Sequence, residues 1–300
     1  MTKPQPSPVR GVFWMLVTGL CFVTVTALVK YLDNAVPAAQ AAFLRYVIGL
    51  VFLLPMARSL LATRMTARHW KLFGARGAVH TLGVILWFFA MTRIPIAEVT
   101  AMNYLSPVYV TLGAALFLGE KLAFRRIMAI CVALAGAMII LRPGFREVNP
   151  GHLAMLATAA LFACSYLFAK IVADEVAPSL VVAMLSITVT IGLAPFALAV
   201  WVTPDLWTLA ICFALACFAT GGHFAMTLAF RAAPLTLTQP VTFLQLVWAV
   251  TLGALVFHEP VDPVVVLGGL LILGSVIFIT LREAQLKRRV VTPGVNAPKG

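Results

Sequence analysis

Inside the long apolar runs of this 300-residue chain stand a few side chains able to hydrogen-bond, titrate or stack on a ring. Arg45 and Arg76 are cations; His80 and His223 are imidazoles that donate, accept or change charge near neutral pH. The stretch AMNYLSPVYVT (101–111) adds Asn103, Tyr104, Ser106 and Tyr109, and LTLTQPVTFLQLVW (235–248) adds Thr242, Gln245 and Trp248; Trp87 supplies a further ring. Pro107 and Pro240 fall in the middle of these two stretches. A proline there has no N–H and crowds the carbonyl four residues back, which belongs to Asn103 in one case and Thr236 in the other. Carbonyls freed in an apolar setting are tolerated where they line a cavity or find another partner.

The combination predicts a cavity of rings and neutral dipoles that suits a small amphipathic solute, zwitterions included. His80, Trp87, Asn103, Tyr104, Tyr109, Gln245, Trp248 and His223 are its candidate binding residues. Arg45, Pro107 and Pro240 are candidates for gating or structural roles. Blander readings stand beside these. His80 could bridge two helices, and the Gly221–Gly222 pair before His223 could serve packing. Arg45 could snorkel to an interface, and the prolines could merely bend their helices.

Other chemistries lack their residues. There is no GxxxxGK[ST] loop for ATP, no HExxH, and no Gly-x-Ser elbow. Glu120–Lys121 and His258–Glu259 have no third ligand spaced to join them, so they read as caps or interface anchors rather than a metal site. No catalytic residue, metal or cofactor is expected, and an intramembrane enzyme is the less favoured class. All ten acids lie near the ends of apolar runs, so the deep carboxylate of a simple proton carrier is not expected. Coupling through His80, His223 or a proton on the solute stays open.

These residues must be positioned by membrane helices. The chain is 62% hydrophobic and 11% charged, with a mean hydropathy of +1.01, against about 45–50% and about 25% in soluble domains. Ten apolar runs are each about long enough to span: 11–31, 36–57, 70–91, 97–118, 122–141, 151–172, 178–202, 206–231, 235–257 and 263–281. The runs are continuous rather than alternating, which excludes a β-barrel. With the N-terminus inside, 16 of 22 Lys and Arg fall on the inner side and four on the outer side. The +12 net charge therefore reads as an orientation with both termini cytoplasmic, not as a nucleic-acid surface. Spans five and ten carry small-residue faces (Ala129, Ala133, Ala137; Gly268, Gly269, Gly274) that suit helix packing or a weak homodimer, with a monomer as the alternative.

The halves align at a spacing near 140 residues. Gly11 meets Gly151, Phe22 meets Phe162, Lys30 meets Lys170 and Pro55 meets Pro195; one residue shorter, Pro95 meets Pro234 and Glu120 meets Glu259. Five spans per unit is odd, so the two units must enter the membrane with opposite polarity, as in many secondary transporters. The expected organisation is a cytoplasmic segment 1–10, five-helix repeats at 11–145 and 146–282, and a disordered cytoplasmic tail 283–300.

FLGEKLAFRRIMAICVALAGAMII (117–140), LVFHEPVDPVVVLGGLLILGSVIFI (255–279) and AAFLRYVIGLVFLLP (41–55) resemble segments of EamA units. The whole chain resembles the ten-helix EamA branch of the drug/metabolite transporter superfamily, nearest to its aromatic amino-acid exporters. That resemblance implies an all-α protein of the bacterial inner membrane, made of two inverted five-helix repeats. It would export amino acids or similar metabolites by alternating access, with helices rocking around spans three, four, eight and nine. An importer or facilitator of another metabolite is the alternative. One asymmetry is already visible: Arg45 has Leu185 at its place in the second half.

Overall fold

The computed structural model describes residues 8–32, 35–56, 65–118, 123–145, 147–173, 175–176, 178–233, 241 and 243–291. Among the described residues are eleven α-helices. The first repeat holds α1 (Pro8–Tyr31), α2 (Ala38–Gly49), α3 (Ala67–Met91), α4 (Ile96–Asn103), α5 (Leu105–Leu118) and α6 (Phe124–Leu141). The second holds α7 (Pro150–Ala173), α8 (Pro178–Ala199), α9 (Leu206–Ala232), α10 (Phe243–Val256) and α11 (Pro263–Val291).

Seven of these are long and apolar enough to cross a bilayer: α1, α3, α6, α7, α8, α9 and α11. Their ends fall within about three residues of the runs read from sequence, except that α11 continues to Val291. Residues 283–291 are therefore helical rather than the start of a disordered tail. REAQLKRR is built from strong helix formers, which outweighs its charge. All three remaining runs contain a proline, and two of them, the second and the fourth, change geometry or break among the described residues. In the second, the α-helix tightens to 3-10 geometry over Leu50–Met56, around Pro55. In the fourth, the helix breaks between Asn103 and Leu105, at the carbonyl that Pro107 leaves without its usual donor. In the ninth, Pro240 and Thr236 lie outside the described residues, as does Thr242.

Contacts between helices repeat across the two halves. The two most extensive pairings are α3 with α7 and α1 with α9, so each repeat's first helix packs on the third helix of the other repeat. The last helices, α6 and α11, pack on one another, as do α2 and α8. Glycines set the closest approaches. A Cβ on Gly83 would lie 2.8 Å from the Phe162 ring and one on Gly222 3.1 Å from the Phe22 ring. At the α6–α11 crossing a Cβ on Gly136 would lie 2.7 Å from the Gly268 carbonyl oxygen. Ala133 and Ala137 are buried at this crossing. Much of the small-residue surface expected to be available for a dimer is thus spent on packing within the chain.

Polar ties lie at both ends of the bundle, and those described here run from one repeat to the other. At the end where α1 finishes, Lys30 pairs with Glu259, which also accepts the Ile96 N–H at 2.9 Å. Arg142 pairs with Asp262, and the Gln40 amide binds both backbone groups of Val202, at 2.5 and 2.9 Å. Glu259 is thus a helix cap and anchor as read from sequence, but the helix is α4 of the other repeat. At the end where α1 begins, Arg68 and His69 both hold Glu175, and buried Arg76 donates to the Val181 carbonyl at 2.9 Å. The hydrogen bonds from Arg68 and then His69 hold the Glu175 carboxyl below the usual carboxylate range. Glu120 and Lys121 lie outside the described residues.

Candidate solute-binding cavity

A cavity of about 250 Å³ lies in the middle of the bundle, walled by α1, α2, α3, α4, α7, α9 and α10. Its position follows from the crossed packing, because α1–α9 and α3–α7 form two facing walls. Each wall carries an imidazole from a third helix against a phenylalanine from a first helix. His80 stacks on Phe162 with centroids 4.7 Å apart and 24° between planes. His223 meets Phe22 edge-on at 5.1 Å and 71°. Trp87 and Tyr166 extend the first wall, at 6.3 and 6.4 Å from Phe162.

The polar groups are mostly neutral. His80 Nδ1 lies 3.1 Å from Ser165 Oγ, a bond that fixes the ring. Thr26, Thr100, Asn103 and Gln245 also line the space. The Trp87 indole N–H and the Asn103 side-chain oxygen are buried with no hydrogen-bond partner among the described residues. Unspent donors and acceptors on a cavity wall are costly unless something fills them. Arg45 is the one formal cation of the lining, with its guanidinium 4.2 Å from the centre of the Tyr46 ring. No carboxylate is among the lining residues. A smaller space of about 80 Å³ shares Arg45, Tyr46 and His223 and reaches Leu53 and Val182, toward the end where α1 begins.

Of the eight binding residues expected from sequence, His80, Trp87, Asn103, His223 and Gln245 line the cavity. Three do not. Tyr104 sits at the α4–α5 break, and Tyr109 lies on α5, whose main neighbour is α7; both pack against the apolar core. The break explains the error, because it ends the helical face that carries Asn103 into the cavity. Trp248 packs on α1, with its ring where a Cβ on Gly19 would be, and joins a cluster with Val23, Ile96 and Ala249. Pro107 is exposed on α5, so its part is to break the helix. Arg45 lies on the cavity wall and over a ring, not snorkelled to an interface.

Sequence reasoning missed Phe22, Tyr46, Phe162 and Tyr166. Phe22 and Phe162 were visible as a repeat match, since both are fixed by the same crossed packing. Tyr46 and Tyr166 had no such signal, because both lie on helices that are apolar nearly all round.

Two matching walls enclose a mid-bundle cavity, and sequence comparison gives the class of protein. The chain belongs to the EamA-like transporter family, which it matches twice, over residues 9–142 and 149–281. It is 31% identical over 290 residues to a riboflavin transporter of Rhizobium johnstonii, covering 95% of this chain and 96% of that one. It is 24% identical to an S-adenosylmethionine uptake transporter of Rickettsia prowazekii, covering 92% and 94%. A solved crystal structure, 20% identical, superposes with a TM-score of 0.61 over 92% of this chain and 99% of that one, a likeness of fold. The protein is a multi-pass membrane protein of a transporter family for small metabolites.

Proposed function

We propose that the protein is a secondary carrier that takes up a flavin-like solute: planar, heteroaromatic and without positive charge. The observation that carries this is the charge of the cavity, one arginine and no carboxylate among rings. A flavin ring system stacks on Trp87, Phe162 and Tyr166, and its carbonyl edge accepts from Arg45 and Trp87. S-adenosylmethionine carries a sulfonium and an ammonium beside one carboxylate; Arg45 could receive the carboxylate, but no acid among the lining residues receives the two cations.

The proposed architecture is ten spans in two inverted repeats, the fourth span being broken ahead of Pro107. Helix α1 and helix α7 begin at opposite ends of the bundle, which supports the inversion. In this reading both termini lie in the cytoplasm of a bacterial cell whose inner membrane holds the carrier, an orientation that the excess of Lys and Arg on that side supports. The carrier makes and breaks no covalent bond. Purified protein in vesicles loaded with unlabelled riboflavin should draw in labelled riboflavin by exchange, and should ignore S-adenosylmethionine and aromatic amino acids. Exchange of S-adenosylmethionine or an amino acid, with none of riboflavin, would overturn the assignment.

A further inference from the structure

Away from the cavity a second titratable cluster crosses between the repeats. Glu98 in the first turn of α4 is hydrogen-bonded, Oε2 to Nε2, to His152 in the first turn of α7. Each side chain is only 3% exposed, and Glu98 is the one carboxylate buried to this degree among the described residues. Sequence reading placed Glu98 near a span end, as it is, but a span end covered by another repeat is not exposed. A buried carboxylate is costly to desolvate, so its burial is weak evidence for a stabilising role.

The pair forms part of the wall of a cavity of about 310 Å³ at the end of the bundle where α1 finishes. Other charges face it from the turns around: Arg93 before α4, Glu147 before α7, and Glu259 and Asp262 before α11. Lys30 and Arg142 neutralise the last two. From α10 and α11 only valines face the space. On the other side of the same short helix, Val99, Thr100 and Asn103 line the central cavity. Helix α4 therefore touches a titratable pair and the solute space within two turns.

We propose that Glu98 and His152 form the proton-binding site that couples this carrier to a pH gradient. One proton entering from the 310 Å³ space passes to the Glu98 carboxylate and cancels its charge. With His152 neutral and donating its Nε2–H, the charge-assisted bond becomes one between neutral groups, about half as strong, and α4 can part from α7 at that end without leaving a buried charge. When the proton leaves, the pair re-forms and closes the end again. No other bond changes. The inference rests on the transport reading above.

Two measurements test it, one without solute. In lipid, acid-minus-neutral infrared spectra of the wild type should contain a carboxyl C=O band that is missing in Glu98→Gln and shifts in pH midpoint in His152→Asn. In vesicles, a one-unit pH gradient should concentrate riboflavin about tenfold in the wild type, since one proton per solute contributes about 1.4 kcal/mol. Glu98→Gln should lose that accumulation and keep exchange at equal pH. Equal accumulation by Glu98→Gln, or wild-type exchange indifferent to the gradient, overturns the coupling and leaves the transport reading intact. If the wild type exchanges no riboflavin, the flavin reading fails instead, and the infrared band alone decides whether Glu98 binds the proton. An unchanged band in Glu98→Gln overturns the site.

Discussion

The two walls of the central cavity are made alike and finished differently. Each sets a histidine of a third helix against a phenylalanine of a first helix, next to a glycine that admits the ring. The His80 wall is then locked by Ser165 and extended by Trp87 and Tyr166. The His223 wall has Phe22 edge-on and opens through Arg45 and Tyr46 to the smaller space beside it. Where Arg45 stands in the first repeat, the second has Leu185. Duplication thus explains where the site is, and the departures from symmetry explain what it would select. A symmetric cavity would hold its solute without preference for either orientation. One cation and one ring-rich wall give the solute a head and a face.

The largest effect is expected where symmetry is most broken. Arg45→Ala should lower riboflavin exchange at limiting concentration by roughly 10- to 100-fold, the size of a lost hydrogen bond to a charged group of about 1.5–3 kcal/mol. Leu185→Arg should not restore it, and equal transport by Arg45→Ala and wild type would mean that the arginine is structural.

Comparing the histidines sharpens the contrast between walls. His80→Ala should reduce exchange about three- to tenfold, the size of one net hydrogen bond. His223→Ala should cost less, and the reverse order would make the open wall the binding wall. Trp87→Phe keeps a ring and removes an N–H that has no partner within the described protein. It should raise the half-saturating riboflavin concentration about threefold with unchanged thermal stability, the lower range of a single hydrogen bond. A loss of stability instead would show that the indole serves the fold.

The smallest effect concerns the ends of the walls. The folded-state pKa of Glu175 is lowered, so its ties to Arg68 and His69 are fully made above the ordinary carboxylate value of about 4.3. They are lost as pH falls through the lower folded value. Glu175→Gln should therefore narrow the difference in melting temperature between neutral and acid pH, by no more than about a degree or two, because a solvent-exposed tie contributes little.

Most of the fold could be read in the sequence because hydrocarbon thickness fixes span length and nothing competes with it. Ends such as Met91, Leu141 and Tyr31 fell where the apolar runs stop. The site was legible wherever a polar type stood out against its span, as at His80, Asn103 and Gln245. It was not legible for rings. A tryptophan in an apolar helix gives the same signal whether it faces a cavity, as Trp87 does, or a neighbouring helix, as Trp248 does. Tyr104 and Tyr109 failed for a second reason. Pro107 marked a freed carbonyl and a bend in a continuous span, and only the structure shows that the helix breaks and its face ends at Asn103. Burial between repeats was also out of reach, since it depends on which span end meets which, as Glu98 and His152 illustrate.

The crossing of α6 and α11 has a practical meaning. With Gly136 and Gly268 at backbone contact, that crossing has no slack to take up when the rest of the bundle shifts. Such a crossing should stay fixed while the rest of the bundle moves, which would make it a built-in ruler for an experimenter. Spectroscopic labels placed across it should report a constant separation in every state of the cycle, so any distance that changes elsewhere can be read as true motion against a fixed frame.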